Sequence, residues 1–156
     1  MLTEVDHRIL NAVDDLRCLN DVWKHIQPAW KHGDVTKANP IFTDSTPEME
    51  TRTFRLDHPM HSLEIDQALA RQNMRPLNQK WFAHLLFVRN ELPEHPFLIA
   101  LGCLFPDRWS EPRILFTEAF FHQAIQSKFG IHLRRFDYNW PIGTLVPAMP
   151  LLPEVT

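Results

Sequence analysis

The run WFAHLLFV, from Trp81 to Val88, folds in either of two ways, and the choice sets the architecture. As a helix capped by Asn78 it would put Trp81, Phe82, Leu85 and Leu86 on one stripe. As a strand it would be buried on both faces, with His84 pointing one way. A run this short suits a strand. A second apolar run, Pro96 to Phe105, follows after a polar connection, Arg89 to His95. We therefore read the two runs as a β-hairpin.

Working outward, Arg113 to Phe116 reads as a short strand and Thr117 as the cap of a helix with the stripe Phe120, Phe121, Ala124 and Ile125, stopped by Gly130. Ile131 to Tyr138 is a further strand, closed by Trp140 and Pro141. Upstream, Ser62 can cap a helix from Leu63 to about Asn73, which Pro76 ends. Thr51 to Leu56 alternates as a strand does, with Arg52, Phe54 and Leu56 to one side. Gly33 to Glu50 has two prolines and little periodicity and reads as a loop. Thr3 can cap a first helix through about Arg17, on the spacing of Val5, Ile9, Val13 and Leu16. Asn20 can cap a second, Asp21 to Gln27, stopped by Pro28. Helices followed by segregated hairpins point to an α+β fold: a single domain, 1–140, with a mostly antiparallel sheet and helices on one face.

Residues 141–156 differ from the rest. Pro147, Pro150 and Pro153 recur every third residue among apolar side chains, which is the polyproline II period. The expectation is an extended, Pro-rich C-terminal strap with no backbone ladder, lying on its own domain or on a second subunit as the contact of a homodimer.

The chain has 156 residues, 44% hydrophobic and 22% charged, enough for one core. No eighteen-residue apolar stretch and no leader pattern occur, so a soluble, cytoplasmic protein is expected. Two cysteines, Cys18 and Cys103, exclude a disulfide framework. The formal charge is −3, with nine acids against five bases in residues 1–50 and seven of each in 79–156. Such a balance makes no domain-scale positive field, so nucleic acid is not the expected partner.

The candidate sites are sparse. His58, His61 and Glu64 lie at a strand–helix seam and offer metal-ligating types, although Pro59 keeps the two imidazoles off one helical turn. Glu118 and His122 are four apart on the expected late helix, the spacing of a base and its orienting acid. Cys103 is a lone thiol in an apolar run. Arg71, Arg75 and Lys80 could touch phosphates if a helix-turn-helix spanned 66–86. Arg134 and Arg135, beside Phe136 and Tyr138, are candidate anion-binding residues. Trp109, between Arg108 and Ser110, is the indole expected to be exposed at a ligand or partner. No nucleotide loop or nucleophile elbow occurs, and the sequence names no cofactor. The reading that best survives is a small cytoplasmic non-catalytic binding or regulatory protein acting through protein–protein contacts and self-association. A histidine-based or metal-dependent enzyme and a DNA-associated regulator are the alternatives.

Overall fold

The computed structural model describes residues 2–26, 30–31, 41–87, 97–106, 112–119 and 129–151. Ten strands and three helices are found among them: β1 (Leu2–Asn11), α1 (Leu19–Ile26), β2 (Trp30–Lys31), β3 (Glu48–Leu56), β4 (Met60–His61), α2 (Ser62–Arg71), β5 (Met74–Pro76), α3 (Gln79–Phe87), β6 (Phe97–Pro106), β7 (Pro112–Ala119), β8 (Phe129–Arg135), β9 (Asn139–Trp140) and β10 (Leu145–Pro150). Eight strands form one sheet in the order β1-β3-β10-β6-β7-β8-β2, with β5 also on β10; β4 and β9 make a separate pair. The fold is mixed α+β with a mostly antiparallel sheet; β10 with β6 and β2 with β8 are the parallel pairs.

The helices occupy both faces of this sheet, not one. Side chains alternate along each strand, so Leu98, Ala100, Leu145 and Met149 face one core with α1 and α3. Ile99, Leu101, Val146 and Ala148 face a second core with α2 and Trp140. A strand buried on both faces reads as a continuous apolar run, which is why Phe97 to Leu101 shows no polar alternation.

Trp81 to Phe87 is not a strand. Residues 79–87 form α3, with every residue from Lys80 to Leu86 buried. A segment apolar all round satisfies a buried strand and a buried helix equally, and the cap decides. Asn78 Oδ1 accepts from Trp81 N at 3.0 Å and the Asn78 carbonyl from Phe82 N at 3.0 Å. The expected hairpin therefore does not form; β6 pairs with β7 instead.

The first expected helix is also corrected. Leu2–Asn11 is β1, paired with β3 from Leu2↔Leu56 to Asn11↔Glu48, with a bulge between Glu4 and Asp6. A helical spacing of Val5, Ile9 and Val13 is matched by β-branched types that suit a pleated strand, and β3 offers a ladder that the local pattern does not encode. Thr117 caps no helix. It lies in β7, opposite Leu98 on one side and Ile131 on the other; residues 120–128 lie outside the described residues. The second helix runs Leu19–Ile26, so Asn20 lies within it and does not cap it; this helix, the strands at 51–56, 97–106, 112–119 and 129–135, and the helix after Ser62 are otherwise observed near their expected places. Its cap, however, is His61, whose Nδ1 accepts from Leu63 N at 3.2 Å. Ser62 is buried and its Oγ accepts from Trp140 Nε1 at 2.9 Å. The helix closes through Asn73 in the left-handed region, φ 58°.

The expectation that no ladder runs through the proline-rich terminus fails for residues 145–150. They form β10, a central strand buried from Leu145 to Met149. Proline is tolerated because of where its missing donor points. Pro147 stands opposite Thr53 on β3, yet its carbonyl accepts from Leu77 N at 3.4 Å, on the other side. In a strand the N and O of one residue point the same way. The absent N–H of Pro147 therefore faces away from β3, where β10 changes neighbour from β6 to β5. Pro150 lies beyond the β3 ladder, which ends at Ala148. Close passage of β5 and β6 leaves no room at Gly102, where an added Cβ would lie 2.1 Å from the Leu77 carbonyl oxygen.

Thr53 is fully buried between β1 and β10, and its hydroxyl has no partner among the described residues. Valine has the same shape without the polar atom. Thr53→Val is expected to raise urea-unfolding stability by about 1 kcal/mol; a loss instead would show that the hydroxyl is bonded.

Candidate functional site

β1 ends the sheet, and among the described residues no strand lies on its outer side. A groove of about 360 Å³ runs there, lined by six consecutive residues of β1, Asp6 to Asn11, and by Val13, His84 and Phe87. Successive strand residues face opposite ways, so a groove that touches six in a row follows the strand's edge. Its rim carries three exposed apolar side chains, Ile9 (62% exposed), Val13 (37%) and Phe87 (42%). Between them Arg8 holds Asp6 in a bidentate pair, Nε–Oδ2 2.7 Å and Nη2–Oδ1 2.8 Å. On the other face His7 Nε2 meets Glu50 Oε1 at 2.7 Å, and Arg52 bridges Glu50 at 3.3 Å to Glu4 at 3.4 Å. The His7 and Arg52 pairs are exposed and contribute little stability. They keep charge along an edge that would otherwise be an apolar template.

The groove's floor is held by a buried polar hub. Asp44, in the segment before β3, accepts from Thr46 N at 2.8 Å, Thr46 Oγ1, Asn78 Nδ2 at 2.8 Å and Trp81 Nε1 at 3.0 Å. Burial alone would raise its pKa; the hydrogen bonds from Thr46 and Asn78, with the charge of Lys80, outweigh it and hold the carboxyl at about 2. Lys80 is buried, donates to the carbonyls of Asp44 at 2.8 Å and Thr46 at 2.6 Å, and lies 4.6 Å from the Trp81 ring centroid. A lysine in the first turn of a helix opposes the helix dipole; Asp44 and the two carbonyls offset that cost.

One turn on, His84 reaches the groove. Its Nε2 accepts from Val13 N at 3.0 Å, so Nδ1 carries the proton and donates to the Lys80 carbonyl at 2.7 Å. Burial pushes its pKa down, with the charge of Lys80 acting the same way against the carbonyl bond. Protonation at Nε2 would set two N–H groups face to face. His84 thus ties α3 to the turn after β1 as a neutral ring, and neither nitrogen is left for proton transfer.

The residues singled out from sequence do not converge here. His58 and Glu64 are exposed, and His61 spends Nδ1 on the α2 cap and meets Phe136 edge-on at 6.5 Å. Among the described residues no three His, Cys, Asp or Glu side chains group as a metal ion would require. Arg134 and Arg135 are exposed, with the Arg134 guanidinium 4.7 Å from the Tyr138 ring centroid. Trp109 and His122 lie outside the described residues; Glu118 is in β7 and Cys103 in β6. The basic trio does not form a helix-turn-helix face: β5 separates α2 from α3, Arg75 is half-buried in it, and Lys80 is buried. Sequence reading missed the Asp44 hub and the β1 edge. The one available signal was the alternative helix capped by Asn78, which places Lys80 and His84 on one face.

No helix among the described residues is long and apolar enough to cross a membrane. Comparison with protein-family models, with curated proteins and with solved structures found no match to this chain.

The hub fixes the sign of the acid response. Both groups have folded pKa values below their unfolded ones, near 6.5 for histidine and 3.8 for aspartate. Unfolding therefore takes up protons, and stability is full above those values and lost as pH falls. Unfolding by urea should show stability dropping below about pH 6.5 through His84 and again between about pH 4 and 2 through Asp44. His84→Gln should be less stable at pH 7 but lose less between pH 7 and 5. Equal losses would show that His84 does not contribute.

Proposed function

We propose that this chain is a non-catalytic binding and regulatory protein of the cytoplasm that acts through protein–protein contacts, self-association among them, with the outer edge of β1 as its contact surface. The observation that supports this reading is the groove along that edge. A terminal strand presents backbone donors and acceptors to an incoming extended segment, and flanking pockets select its alternate side chains. Ile9, Val13 and Phe87 supply the apolar flank, and the hub beneath holds α3 in place so that the groove is preformed. Strand addition replaces the strap as the means of association, because residues 145–150 are spent inside the sheet. A histidine enzyme finds less support, since both His84 nitrogens and the Nδ1 of His61 are engaged in holding the fold.

The test is a display library of twelve-residue peptides selected on the intact protein, with hydrogen exchange as readout. Enriched peptides should alternate apolar and polar residues, slow exchange across 2–11, and bind roughly tenfold more weakly to Phe87→Asp. Failure to enrich any peptide, or protection confined to other strands, would overturn the reading.

A further inference from the structure

We propose that the occupant of the β1 edge is a second copy of this chain, docked antiparallel through β1 itself about a two-fold axis at His7. The inference rests on the reading above and goes beyond it by naming the partner and the register. Asp6, His7 and Arg8 place an acid, an imidazole and a base in order along the edge. Reversing that order in an antiparallel neighbour places each Asp6 opposite the other copy's Arg8, twice over, with His7 opposite His7. Centring the pair on Asp6 or Arg8 puts like charges face to face, and a parallel in-register pair does so at both positions. One register is therefore favoured, and a two-fold contact of this kind closes on itself.

The side chains needed are in place. Asp6 and Arg8 are half-buried at the groove and already oriented by their mutual bonds at 2.7 and 2.8 Å. Ile9, two residues from the axis, is 62% exposed in the single chain, and its burial at the contact adds an apolar contribution. The bulge between Glu4 and Asp6 interrupts the ladder at one end, so the contact is short. Five residues from each copy make a dimer that forms reversibly at high protein concentration.

Sedimentation velocity on the full chain, from about 5 to about 500 µM, reads the association. The wild type should shift from monomer to dimer across this range. Asp6→Arg and Arg8→Asp each abolish the pair within the strand and put like charges across the axis, so each alone should remain monomeric. Mixed in equal amounts, one copy offers two acids and the other two bases, and the dimer should return. A merely structural role for the Asp6–Arg8 pair predicts no such rescue. A wild type that stays monomeric, reversal variants that still dimerise, or a mixture that stays monomeric would each overturn the proposal. Should the variants not fold, His7→Cys serves instead. Its side chain is 48% exposed, and mild oxidation should cross-link it rapidly while Asn11→Cys does not respond; no cross-link at position 7 overturns the register. A monomeric protein that still binds selected peptides along 2–11 would end the self-pairing and leave the strand-addition reading standing; loss of both would end both.

Discussion

Both cores of this protein share one wall, the strand Leu145–Pro150. Leu145 and Met149 pack against α1 and α3, while Val146 and Ala148 pack against α2. On its edges the same six residues hold β3 on one side and β6, then β5, on the other. Proline in such a position normally breaks a sheet. Here one proline aims its missing donor at the junction between β6 and β5, and the other lies past the end of the β3 ladder. The switch of neighbours along β10 and the three-residue spacing of the prolines are thus two sides of one geometric solution. Gly102 belongs to it as well, because the chain around Leu77 passes too close to β6 for any side chain.

A second constraint is electrostatic. The N-terminus of α3 carries a buried lysine, and a buried charge is tolerated only when it is paired and hydrogen-bonded. Asp44 and the carbonyls around it meet that demand, and in doing so they pin the irregular segment before β3 to the helix. His84 continues the chain of bonds to Val13. The result is a rigid connection from the loop through α3 to the end of β1, and the groove sits where that connection meets the sheet edge. Asp44, Lys80 and His84 are consumed in holding this arrangement.

The edge itself combines invitation and guard. Ionic pairs and a bulge keep β1 from acting as an indiscriminate template. On the reading proposed above, the apolar rim and the ordered charges would admit a matched strand, and a self-complementary charge order would give selectivity without a deep pocket, since wrong registers are penalised by repulsion.

Much of the order of elements was legible from residue patterns: the helices at 19–26 and 62–71 and the strands at 51–56, 97–106 and 129–135 follow from breakers and apolar runs, although Asn20 and Ser62, read as caps, lie inside their helices. Composition also bounded the size of the core. Three features were not legible. Whether 81–87 is helix or strand could not follow from a segment apolar on every face: the Asn78 cap was legible only as one alternative, and the non-local contacts of Asp44 with Asn78 and Trp81 and of Lys80 with the Asp44 carbonyl decided it. Whether 2–11 is helix or strand depended on β3, some forty residues away, offering a ladder. The fate of the prolines at 147 and 150 depended on which strands lay to either side at each position. Local chemistry by itself determined where the chain can turn and which segments must be buried. Tertiary structure alone decided which segments pair and which strand ends the sheet among the described residues, because hydrogen-bond partners across a sheet are set by the placement of distant strands and not by the residues next in line.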